Sequence, residues 1–104
     1  MMKMLIEFDV DKITREGKYD LDKMKAYLDA EFEKRGVLKD ENGLYSNGDF
    51  ASIGGMVSGL SKTDWFMENV KKWIWYDSFE CDSEELDDYE AEDLIAHYSN
   101  MLAG

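Results

Sequence analysis

The sequence predicts an α+β domain, a small antiparallel sheet built from an N-terminal strand and a hairpin and packed with three or four helices. Three observations predict it. Lys3 to Val10 alternates apolar and polar residues, Leu21 to Phe32 and Ala91 to Leu102 repeat apolar residues at helical spacing, and Asn42-Gly43 separates two short apolar stretches.

In the first segment Met4, Ile6, Phe8 and Val10 share one face and Lys3, Glu7 and Asp9 the other, the pattern of a half-buried strand. A polar turn containing Gly17 follows. Asp20 then serves as N-cap of a helix whose stripe is Leu21, Met24, Tyr27, Leu28 and Phe32, with Lys34 and Arg35 in the last turn and Gly36 as its left-handed stop. Around Asn42-Gly43 two short strands are expected to pair, alongside the first strand. From Phe50 to Leu60 helical spacing returns, but Ser52, Gly55 and Gly59 form a small-residue face. Three Gly residues each cost a helix up to ~1 kcal/mol relative to Ala, so this helix needs close packing against another element, and an irregular loop competes with it. Thr63 is a candidate N-cap for a helix reaching about Tyr76, with Phe66, Val70, Trp73 and Ile74 on one stripe and Trp65, Met67, Trp75 and Tyr76 outside it. The last helix has the stripe Ala91, Leu94, Ile95, Tyr98, Met101 and Leu102. Asp82 and Glu85 have capping-box spacing ahead of it, so a first turn is expected near Ser83.

The 104 residues suit one domain, 1–104, and 44% hydrophobic residues supply a core. No apolar run approaches the ~20 residues of a membrane span, and the N-terminal apolar stretch meets Glu7 too soon for a signal peptide. The lone Cys81 cannot form an intrachain disulfide, which agrees with a reducing compartment, and a cytoplasmic protein is expected.

Charge is the strongest feature of the chain. Of the net −12, residues 1–72 account for only −2, with 14 acidic and 12 basic side chains, whereas residues 73–104 hold ten acidic side chains and no Lys or Arg. All ten lie in the acidic segment 77–93, which leads into the C-terminal helix. Direct binding of nucleic acid is disfavoured, because phosphate contacts need Lys and Arg.

The commoner catalytic and metal patterns are absent. One His and one Cys, at 97 and 81, cannot make a Cys/His zinc site within one chain. Glu80 and Asp82 flank Cys81 and oppose its thiolate, and His97 is expected to be a partly buried helical histidine. Gly54 to Thr63 lacks the Lys position and the preceding strand of a phosphate loop, so a close helix crossing is the expected use of its glycines. Asp9, Asp11, Asp40 and Asn42 offer only fragments of a calcium loop. No enzyme activity, cofactor or metal is expected, beyond weak binding of divalent cations by the carboxylates.

If the 17-residue acidic window were helical, its ~1.5 Å rise would place one charge every ~2.5 Å, against one per ~1.7 Å in duplex DNA. The expectation is therefore a non-enzymatic acidic binding protein. Glu84, Glu85, Asp87, Asp88, Glu90 and Glu92 would meet a basic protein surface, with Trp75 and Tyr76 shaping the contact. The partner could be a nucleic-acid enzyme, since small acidic inhibitors of the anti-restriction or anti-CRISPR type occupy nucleic-acid-binding surfaces by this physics. Two alternatives stand beside it. In one the charge serves solubility alone; in the other the chain is a phage- or mobile-element-encoded adaptor that binds through Trp65, Trp75, Tyr76 and Phe79.

Overall fold

The computed structural model describes residues 2–48, 50–77 and 90–103. In chain order they form β1 (Met2–Phe8), α1 (Val10–Glu16), α2 (Leu21–Lys34), β2 (Leu38–Lys39), β3 (Tyr45–Gly48), α3 (Phe50–Ser61), α4 (Asp64–Asn69), β4 (Val70–Asp77), β5 (Glu90–Asp93) and α5 (Leu94–Ala103). The sheet order is β2-β3-β1-β4-β5, with every neighbouring pair antiparallel. The α+β class is as expected, with five described helices rather than three or four and two strands beyond the hairpin and β1.

Alternation in β1 sets the layers. Met4 and Phe8 are buried and join a core with Tyr45 and Trp73 of the neighbouring strands and with residues of all five helices, including Ile13, Phe32, Ile53, Phe66 and Leu94. Lys3, Leu5 and Glu7 point to the other face, where Glu7 pairs with Lys72 at 3.8 Å. Trp73 lies at the centre of the core: its indole meets Phe66 edge-on at 5.0 Å and stacks with Tyr98 of α5 at 5.7 Å. The strand ends sooner than its alternation suggests. Asp9 accepts from the Lys12 N–H and caps α1, so Val10 begins a helix and is half exposed. Seven residues are too few to show helical periodicity, which is why α1 is hidden in the sequence.

Helix α2 follows its end signals. Asp20 accepts from the Asp22 and Lys23 N–H groups. At the other end Gly36 adopts φ 75, its N–H donates to the Glu33 carbonyl, and the Val37 N–H donates to the Phe32 carbonyl. This 5→2 and 6→1 pairing satisfies the last carbonyls and brings buried Val37 onto buried Phe32. Tyr27, expected on the buried stripe, is instead half exposed at its margin.

The hairpin forms at Asn42-Gly43, and its turn is organised by Asp40. That carboxylate accepts from the Asn42 and Leu44 N–H groups, the Ser46 hydroxyl and the Lys3 ammonium, all at 2.9–3.0 Å. The turn is thereby tied to β1.

Several expectations fail downstream. Residues 50–61 are helical, yet a Cβ at Gly55 or Gly59 would meet nothing within 4 Å, so the glycines do not mark a close helix crossing. They face a small open groove beside α2. The helix survives because Ile53, Met56, Val57 and Leu60 on its other side are buried. The helix expected from Thr63 to Tyr76 stops at Asn69. Thr63 precedes it but spends its hydroxyl on the Gly59 carbonyl, joining α3 to α4 rather than capping. Val70 to Tyr76 then runs as a strand because it is rich in β-branched and aromatic residues and fills the open side of β1 along its whole length. The last helix begins at Leu94, so Ala91 lies outside it and Glu90–Asp93 is an edge strand rather than a first helical turn. The start expected near Ser83 lies outside the described residues.

Among the described residues no helix is long and apolar enough to cross a membrane.

Candidate functional site

Of the predicted site residues that the structure describes, Trp75, Tyr76, Glu90 and Glu92 fall on the β4–β5 ribbon and Trp65 on α4. Its register sets Ile74 across from Asp93, Trp75 from Glu92, Tyr76 from Ala91 and Asp77 from Glu90. Cross-strand partners share a face and successive residues alternate. Trp75, Asp77, Glu90 and Glu92 therefore lie on the helix-bearing side, and Ile74, Tyr76, Ala91 and Asp93 on the other. Trp75 and Tyr76, adjacent in sequence, point to opposite faces and cannot form one anchor. Glu84, Glu85, Asp87, Asp88, Cys81 and Phe79 lie outside the described residues.

The ribbon forms a hollow of about 210 Å³ lined by Trp75, Asp77, Glu90 and Glu92, with Ala91 of the strand between the last two. Its indole wall is held from behind: Trp75 packs against the core, and a Cβ at Gly54 of α3 would reach ordinary contact with its ring at 4.0 Å. The carboxylate wall is exposed along β5. Asp77 and Glu90 form a like-charge pair directly across the ribbon, which opposes pairing, and Glu92 lies two residues along on the same face, about 6.6 Å of strand away. At the far end Glu92 meets the Nδ1 of His97 at 3.3 Å. His97 is exposed on α5, not partly buried as expected, because the apolar side of that helix is taken by Leu94, Ile95 and Tyr98.

A flat indole beside three carboxylates can accommodate a cation carried on a partly apolar stem. A guanidinium can lie on the ring while its N–H groups bridge the carboxylates, and its charge would relieve the repulsion between Asp77 and Glu90. A metal fits less well: among the described residues no group of three or more His, Cys, Asp or Glu is placed to hold one. The helical backbone of α3 likewise offers no phosphate cradle at Gly54 to Ser61.

A second concave surface lies between α2, α4 and the connection ahead of α2. Tyr19 on the α1–α2 connection, Met24 and Tyr27 of α2 and Trp65 of α4 line a hollow of about 440 Å³, with Lys18, Asp20 and Lys23 at its margin. Tyr27 and Trp65 meet edge to face at 5.4 Å. Of these residues only Trp65 is expected from the sequence to bind a partner. The signal for Tyr27 was its place at the border of the α2 stripe.

Compared with models of known protein families, with curated proteins and with solved structures, the chain gives no match.

Proposed function

We propose that the chain is a non-enzymatic binding protein that occupies a basic surface of another protein through its β4–β5 ribbon, as a nucleic-acid mimic does. The register of the ribbon carries this reading: it gathers Asp77, Glu90 and Glu92 on one face around Trp75. A guanidinium or ammonium gains both the indole face and the carboxylates there, whereas an anion is repelled. Excess negative charge on the whole chain adds long-range steering toward a basic partner. Asp77 on β4 and Glu90 and Glu92 on the edge strand are spaced more widely than carboxylates in a continuous acidic helix, so the ribbon imitates a short stretch of charge rather than a continuous duplex backbone.

The test is capture from lysate of nucleic-acid-binding proteins by immobilised wild type and by the triple variant Asp77→Asn, Glu90→Gln, Glu92→Gln. Wild type should retain a basic protein at low salt, release it as salt rises, and lose it to added DNA or RNA. The triple variant and Trp75→Ala should each retain markedly less. Equal retention by wild type and the triple variant, with circular dichroism showing both folded, overturns the proposal.

The alternative, an adaptor that binds through Trp65, Trp75, Tyr76 and Phe79, would engage its partner from more than one surface, since Trp75 and Tyr76 face opposite sides of the sheet and Trp65 lies on α4.

A further inference from the structure

The hollow between α2, α4 and the α1–α2 connection shares no residue with the acidic ribbon and differs from it in chemistry. We propose that it is a second binding site, which takes an acidic peptide segment of a partner protein, seating an aromatic side chain against Tyr27 and Trp65 while neighbouring carboxylates meet Lys18 and Lys23. The proposal stands whether or not the ribbon binds a basic partner.

Shape and lining come first. At about 440 Å³ the hollow falls in the ~300–1,000 Å³ range of ligand sites, and its wide opening suits a side chain presented by a peptide. Its floor is built. Trp65 and Tyr19 pack on the core, and the Tyr19 hydroxyl is held by the Glu68 carboxylate at 3.3 Å. The wall is Tyr27, half exposed, although its helix neighbours Met24 and Leu28 are buried. The Tyr27 and Trp65 rings stand at 84° to each other, so an incoming ring can lie flat on one and edge-on to the other. Large rigid aromatics at a concave surface are the residue types that anchor interfaces.

Charge decides the kind of occupant. The chain has twice as many acidic as basic side chains, and five of its lysines pair with carboxylates of described residues: Lys3, Lys12, Lys34, Lys39 and Lys72. Neither Lys18 nor Lys23 takes part in an ion pair among the described residues. The one carboxylate lining the hollow, Asp20, accepts the Asp22 and Lys23 N–H groups at the start of α2, so its charge faces the helix end. A segment with an aromatic residue between carboxylates complements this surface. A basic segment meets two ammonium groups.

The experiment uses the whole chain and three blocked peptides, Glu-Phe-Asp, its basic counterpart Lys-Phe-Lys, and Glu-Ala-Asp. Nitrogen–proton correlation spectra would be recorded at peptide concentrations up to about 5 mM, which reaches the weakest affinities of interest. The expected result is saturable movement of the Trp65 indole and Lys18–Lys23 amide signals with Glu-Phe-Asp. Affinity should fall at least about tenfold for Glu-Ala-Asp and for Tyr27→Ala. Lys18→Gln with Lys23→Gln should weaken binding several-fold and flatten its salt dependence. Tyr27 is half exposed, so Tyr27→Ala should remain folded, and its circular dichroism separates loss of binding from unfolding. Equal response to Lys-Phe-Lys, no response to Glu-Phe-Asp, or an unchanged affinity in Tyr27→Ala overturns the proposal. So does concentration-dependent dimerisation of the free chain that Tyr27→Ala abolishes, because the occupant is then a second copy.

Discussion

Replacing Asp40 by Asn should destabilise the domain at neutral pH and much less in acid. Burial alone would raise this carboxyl, but the Lys3 ammonium, the Leu44 and Asn42 N–H groups and the Ser46 hydroxyl outweigh it and bring the pKa from 3.8 to about 2. At about 1.36 kcal/mol per pH unit that drop corresponds to about 2 kcal/mol, and partial solvation at the edge of the sheet reduces the expected loss to about 1–2 kcal/mol. Because the folded value lies below the unfolded one, the contribution is complete above about pH 5, falls to about half near pH 3 and is largely gone by pH 2. Asn keeps an oxygen for the turn N–H groups but gives up the charge that Lys3 meets at 2.9 Å. Urea unfolding of wild type and Asp40→Asn at pH 7 and pH 3, followed by tryptophan fluorescence, measures both parts. At pH 7 the variant should melt about 5–10 °C lower. A difference of equal size at the two pH values would refute the electrostatic account and leave only a steric one.

Three further outcomes follow from particular contacts. Burial first, and then Asp29, which accepts the Tyr45 hydroxyl at 2.6 Å, hold the Tyr45 phenol well above its ordinary value; stability should therefore decline as pH rises above about 10, and Tyr45→Phe should cost about 1–2 kcal/mol at pH 7 while removing part of that decline in an alkaline denaturation series. Gly55→Ala and Gly59→Ala should each stabilise the domain by up to about 1 kcal/mol in thermal unfolding, because both sites are helical with open space for a methyl group; a loss of stability would mean that α3 packs more closely than described. Asp77→Asn should stabilise the free chain by about 0.3–0.7 kcal/mol by removing the cross-strand repulsion with Glu90, with the gain shrinking in high salt; a destabilisation measured by urea at low salt would show that Asp77 has a favourable partner.

Local chemistry accounts for what could be read in advance. Asp20 and Gly36 bound α2 because a capping carboxylate and a left-handed glycine act within one turn of the chain, and Asn42-Gly43 marks the hairpin for the same reason. The alternation of Lys3 to Phe8 specifies a strand whatever lies beside it. Residues 70–76 were different. Val70, Trp73 and Ile74 satisfy helical spacing as well as strand propensity, and only the unfilled side of β1 decides between them. The candidate sites divide along the same line. That the chain carries a concentrated block of carboxylates is a property of the sequence. Which carboxylates share a face with Trp75, that Tyr76 turns away from it, and that Tyr27 meets Trp65 across α2 and α4 are set by strand register and helix packing. Those depend on contacts between residues far apart in the chain, and composition and periodicity carry no record of them.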